Sequence, residues 1–84
     1  MTYTISISRR TQKELRRLRS EIYGRIRDAI RALAQNPRPS NCRKLTGREG
    51  WRIRVGDYRV VYRIDDQQKA ITILHIGHRH SVYR

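Results

Sequence analysis

Between Trp51 and Ile64, apolar and polar residues alternate on both sides of a Gly56-Asp57 pair, a pattern that only a β-hairpin satisfies well. Trp51, Ile53 and Val55 alternate with Arg52 and Arg54; after the pair, Tyr58, Val60, Tyr62 and Ile64 alternate with Arg59, Val61 and Arg63. Gly-first pairs of this kind form two-residue turns whose twist matches that of the strands they join. With Gly56 and Asp57 as the loop, Val55 stands opposite Tyr58, Arg54 opposite Arg59, Ile53 opposite Val60, Arg52 opposite Val61 and Trp51 opposite Tyr62. Side chains alternate across a strand, so Trp51, Ile53, Val55, Tyr58, Val60 and Tyr62 share one apolar face. Arg52, Arg54 and Arg59 share the other. A slip of one residue would invert the assignment, so the register decides everything built on it.

The rest of the chain supplies what must cover the apolar face. Residues 2–8 alternate, with Tyr3, Ile5 and Ile7 on one side, and read as a half-buried strand. Ser8 is placed to cap a short helix carrying Leu15 and Leu18. Ser20 is a second candidate cap, before Ile22, Ile26, Ala29, Ile30 and Leu33 at helical spacing. The segment Asn36-Pro37-Arg38-Pro39-Ser40-Asn41 ends that helix, because two prolines in three residues cannot continue it. Asp65 to Gln68 form a loop before a last strand, Ala70 to Ile76. The expected order is β-α-α-β-β-β in an α+β fold, two helices on one face of a small, mainly antiparallel sheet. Its 84 residues, 1–84, make one domain.

Charge narrows the function. Twenty Lys+Arg against seven Asp+Glu leave a formal net charge of +13, and arginine outnumbers lysine 17 to 3. Arginine's planar fork matches a phosphate in two hydrogen bonds, so the bias points to a polyanion, with nucleic acid first. No apolar run approaches the roughly 18 residues of a membrane span, and the opening MTYTISISRR has no signal-peptide core. A lone Cys42 offers no internal disulfide and, with no Cys or His nearby, a poor metal site, which fits a reducing cytoplasm. No metal and no cofactor are expected.

Like charges directly opposite one another destabilise a strand pair by a few tenths of a kcal/mol or more, so Arg54 against Arg59 gains a purely structural sheet nothing. A phosphodiester site does gain, because preplaced cations stabilise the extra charge of a phosphoryl transition state. The tail, Gly77-His78-Arg79-His80-Ser81-Val82-Tyr83-Arg84, adds groups that exchange protons near neutral pH and a ring that can stack on a base. His75, inside the last strand, reads as a packed or edge residue.

The segment Lys44-Leu45-Thr46-Gly47, Trp51-Arg52-Ile53-Arg54-Val55, Asp57-Tyr58-Arg59-Val60-Val61-Tyr62, Ile76-Gly77-His78-Arg79 and Val82-Tyr83 resembles the RelE branch of the RelE/ParE superfamily of type II toxin–antitoxin toxins. The resemblance extends over nearly the whole chain in element order and in the proline-ended second helix. It implies an endoribonuclease (mRNA interferase) that cuts mRNA in the ribosomal A site, beside 16S rRNA, and so stops translation and growth. It also implies a cognate antitoxin protein that wraps and silences the toxin. In such a site Arg52, Arg54, Arg59, Arg79 and Tyr83 are the catalytic residues, with RNA held by Lys44, Arg52, Arg54, Arg59 and Arg79. The implied reaction is attack of a ribose 2′-OH on the adjacent phosphate, leaving a 2′,3′-cyclic end and a 5′-OH, without a metal. The best-known RelE-type site has lysines where this chain has Arg52 and Arg54, and arginine cannot be deprotonated. Proton transfer then falls to His78 or His80, with Tyr83 as the competitor.

Two rival readings share the scaffold. A ParE-like protein inhibits DNA gyrase and need not cleave RNA; a non-catalytic RNA- or ribosome-binding protein would use the same basic sheet. The paired His/Arg and the terminal tyrosine favour the nuclease.

Overall fold

The structure, a computed structural model, describes residues 2–78. Along the chain come β1 (Thr4–Ile7), α1 (Arg9–Arg16), α2 (Ser20–Leu33), β2 (Cys42–Lys44), β3 (Trp51–Val55), β4 (Tyr58–Asp65) and β5 (Ala70–His78). The strands form one five-stranded sheet in the order β1-β5-β4-β3-β2. β2 to β5 form an antiparallel meander, and β1 joins parallel to β5. The helices carry the chain from one edge of the sheet to the other.

Local chemistry explains the helix limits. The Ser8 hydroxyl accepts the Thr11 amide at 3.2 Å and shares a 2.7 Å bond with the Thr11 hydroxyl, satisfying an otherwise orphan N–H of α1. At α2 the expected cap is displaced by one residue. Ser20 is the first helical residue, Arg19 takes the cap position without a side-chain bond, and Glu21 in the first turn complements the helix dipole. Ile26, Ile30 and Leu33 are the fully buried stripe of α2, packed on Ile53, Val60, Tyr62, Ile71, Ile73 and Ile76 of the sheet. Each is an apolar side chain removed from water, worth about 1.5–3 kcal/mol. Tyr62 is buried among them and donates its phenol to the Pro37 carbonyl at 2.7 Å, tying the proline segment to the core. Burial pushes its phenol pKa well up.

The hairpin register agrees with the sequence pairing at all five positions, from Trp51 opposite Tyr62 to Val55 opposite Tyr58. Gly56 has a φ of 60°, a left-handed value that suits glycine at the first turn position. Two features were not expected. β2 is a fifth strand of three residues, placing Arg43 opposite Arg52 and Lys44 opposite Trp51. β5 carries a bulge against Val61 and Tyr62: Val60 pairs with Ile76 and Tyr62 with Ile73, so two residues, Leu74 and His75, occupy one step of the ladder.

Past that bulge β5 outruns β1, and α1 takes over its exposed edge. Ser8 N and the Thr11 hydroxyl both donate to the Ile73 carbonyl, at 3.1 and 3.2 Å, and Glu14 Oε1 accepts the Ile76 amide at 2.8 Å. Helix side chains thus stand in for a missing strand, one way of closing an edge that could otherwise pair with another chain.

A polar clasp closes the opposite end. Asp66 accepts from Arg38 Nη2 at 2.9 Å and from the Tyr3 phenol at 2.7 Å. The Arg38 guanidinium first, and the Tyr3 hydroxyl second, hold the Asp66 carboxyl down at about 2, against an ordinary 3.8. A depressed carboxyl stabilises the fold above its unfolded value and loses that contribution as pH falls toward its folded one. The clasp is expected to be fully formed above pH 5 and to weaken only as pH approaches 2. An NMR titration of Asp66 should show a midpoint that rises toward the ordinary value in Arg38→Ala; an unchanged midpoint would remove Arg38 as the cause.

Candidate nucleic-acid interface

The face of the sheet away from α2 is built from two rows of residues running across the strands. In the first, Arg43 of β2, Arg52 of β3, Val61 of β4 and His75 of β5 are successive partners. In the second, Arg54 of β3, Arg59 of β4 and Gly77 of β5 are. Alternation along β3 and β4 sets this face, because the other residues of each strand are committed to the core. Neighbouring partners lie about 4.5–5.5 Å apart, so the two rows adjoin on this face. Asn41, Arg43, Arg52 and Arg54 line a cleft of about 230 Å³ there. The Asn41 amide donates to the Arg54 carbonyl at 3.2 Å, fixing the chain before β2 to the end of β3.

Arg59 differs from its neighbours in being only 4 % exposed. It donates from Nη1 to the Tyr58 carbonyl at 3.3 Å. A buried guanidinium is held in place and poorly hydrated, and it acts on an anion at lower effective dielectric than one at the surface. Its partner on β5 is Gly77.

The sequence-selected residues therefore separate. Arg52, Arg54 and Arg59 come together on one face as the register required. Lys44 does not join them: it stands opposite Trp51, with its ammonium 5.4 Å from the ring centre, on the face that carries the core. His78 is opposite Tyr58, ring centroids 5.7 Å apart and edge-on, and shares the face of Tyr58 and Ile76 instead of that of Arg59. Arg79, His80 and Tyr83 lie outside the described residues.

A sequence model of the ParE toxin of the parDE type II toxin–antitoxin system matches residues 5–83. Toxin RelG of Mycobacterium tuberculosis is 32 % identical over 89 residues, covering 100 % of this chain and 99 % of the relative. The toxin–antitoxin complex RelE–RelB of Pyrococcus horikoshii contains a chain that superposes with a TM-score of 0.85 at 32 % identity, covering 98 % of this chain and 100 % of that one. A chain of the RelB–RelE complex of Methanococcus jannaschii gives 0.72 at 26 %, covering 93 and 94 %. The chain belongs to the RelE/ParE superfamily of type II toxins.

Within this toxin, sequence reasoning missed two residues of the arginine face. Arg43 was hidden because a three-residue strand is too short to show a period; its only signal is the half-buried Cys42 beside two cations. His75 is, as expected, a part-buried residue at the β5 edge, packed on Glu14; its place on the arginine face comes from the bulge, which is invisible to simple alternation. The spacing Ile71, Ile73, Ile76 changes from two to three, and that phase break was the signal available. Chemically, the assembled face can bind an extended phosphate chain and concentrate positive charge at one point on it.

Proposed function

We propose that the toxin is an endoribonuclease that inhibits translation by cutting mRNA, with the ribosomal A site as the place of cleavage. The observation that carries this reading is the pairing of Arg54 with Arg59, next to Arg52, on the sheet face away from α2. Three preplaced guanidiniums are an unfavourable element of a structural sheet and a favourable one for a pentavalent phosphorane. Arg59 clamps the non-bridging oxygens, and Arg52 and Arg54 neutralise charge as O2′ attacks and the 5′-oxygen leaves. Arg79 supports the leaving side and Tyr83 orients the nucleophile or stacks on a base, roles carried over from the RelE resemblance. No metal is required, since the arginines supply the positive charge. None of them can take the 2′-OH proton; His78 faces away from the arginines, and His80 and Tyr83 of the tail lie outside the described residues.

Relatives solved as RelE–RelB complexes support a cognate antitoxin as the partner that silences this toxin in the cytoplasm. Ribosome dependence fits a site whose catalytic groups are mostly fixed cations, because the ribosome would supply substrate positioning. The ParE name of the matching family keeps gyrase as the second reading.

Primer extension on mRNA in a translating extract separates the two. Cuts within codons, present only while ribosomes translate, are expected. Growth arrest without cuts, accompanied by loss of DNA supercoiling activity, would transfer the toxin to the gyrase reading; RNA binding without either would leave a non-catalytic binder.

A further inference from the structure

The bulge in β5 turns a histidine toward the arginine face and α1 holds it there. Val60 with Ile76 and Tyr62 with Ile73 are both core pairs, so Leu74 and His75 between them fall on the other side, with His75 opposite Val61. Arg59 is opposite Gly77, two residues farther along β5. His75 is therefore a diagonal neighbour of Arg59, a relation that places Cα atoms about 7–8 Å apart.

The imidazole is anchored from one side. Its Nδ1 is buried and lies against Glu14 Oε2, close to the carboxylate although off the line of a straight hydrogen bond. Glu14 is itself fixed: Oε1 accepts the Ile76 amide at 2.8 Å, and Oε2 receives Arg10 Nε at 3.3 Å. The His75 side chain is 19 % exposed, and since Nδ1 is buried this exposure belongs to the rest of the ring. A carboxylate beside Nδ1 favours the proton on that nitrogen and leaves the Nε2 lone pair as the base.

We infer that Glu14 and His75 form an acid–histidine pair in which His75 is the general base for RNA cleavage, beside the phosphate clamp Arg59. The inference rests on the ribonuclease reading and gives it the proton acceptor that arginines at positions 52 and 54 cannot provide. His75 Nε2 takes the proton of the ribose 2′-OH as O2′ bonds to phosphorus. The P–O5′ bond breaks, and the 5′-oxygen keeps the electron pair and takes a proton from water. The imidazolium then returns its proton to solvent. Glu14 is a positioning residue, acting through the ring it holds.

The test is single-turnover cleavage of mRNA on programmed ribosomes by the wild-type toxin, His75→Ala, His75→Gln and Glu14→Gln. Glu14→Gln keeps a carbonyl for the Ile76 amide and removes the charge, so it spares the edge of β5. His75→Ala and His75→Gln are expected to lower the cleavage rate about 100-fold or more, with ribosome binding and melting temperature near wild type. Glu14→Gln is expected to lower it about tenfold. Added imidazole should restore part of the rate to His75→Ala and none to Arg59→Ala, a readout that a merely structural role would not move. If the wild type cuts and the His75 and Glu14 variants cut as fast, the inference is overturned and the ribonuclease reading stands. If the wild type itself does not cut, both fall. Should His75 variants melt early, Glu14→Gln and the imidazole response decide.

Discussion

Replacing Arg59 with alanine is expected to abolish growth inhibition and to lower mRNA cleavage by two to three orders of magnitude, while binding to the ribosome weakens only slightly. The magnitude follows from removing one preorganised donor aimed at developing oxyanion charge, about 3–4 kcal/mol of transition-state stabilisation. Arg59 is singled out over Arg52 and Arg54 by its burial at 4 % exposure, which fixes its geometry and lowers the dielectric around it. Binding should change less because the charge of the whole face supplies it; losing one phosphate contact flattens the single-strand salt slope by only about 0.7. A salt titration of binding run beside the cleavage assay checks both numbers. Cleavage and binding falling in step would instead describe a binder, and the nuclease assignment would fail. Arg59→Lys is the companion variant: it keeps the charge and loses the fork, and is expected to recover little.

The second large effect concerns stability. Ile26→Ala is expected to destabilise the fold by about 3 kcal/mol, within the 2–5 kcal/mol typical of such core truncations. Ile26 is wholly buried at the centre of the α2 stripe, against a core of few large side chains and no phenylalanine. In a domain this small, each kcal/mol is about 4–8 °C, so the melting temperature should fall by roughly 12–24 °C. Ile5→Ala is the comparison, because Ile5 sits half-buried on the four-residue edge strand β1, and its loss should be under half as large. Equal losses at the two positions would mean that the core is not centred on α2 and β4.

The two faces of the hairpin differ in character, one apolar and packed under α2, the other carrying arginines, and the sequence alone made that division. Alternation from Trp51 to Ile64, broken by Gly56-Asp57 and by Val61, admits a single register that buries one complete apolar set. The placement of Arg52, Arg54 and Arg59 together followed from it without any tertiary information. The cap at Ser8, the proline stop after α2 and the order of the main elements were equally local, each resting on residues adjacent in the chain.

Tertiary structure decided what local period cannot carry. β2 forms because β3 offers a free edge to a three-residue segment, and that brings Arg43 opposite Arg52. The β5 bulge shifts the phase of the alternation by one residue, so His75 reaches the arginine face and His78 the core face. Glu14, 61 residues before His75, meets it only because α1 closes the edge that β1 leaves open. Which arginine is buried was likewise beyond the sequence, since all three alternate alike and only the packing around β4 separates Arg59 from the others. Nearest-neighbour chemistry fixes which way a strand residue points as long as the ladder is regular; bulges, edges and burial depend on contacts distant in the chain.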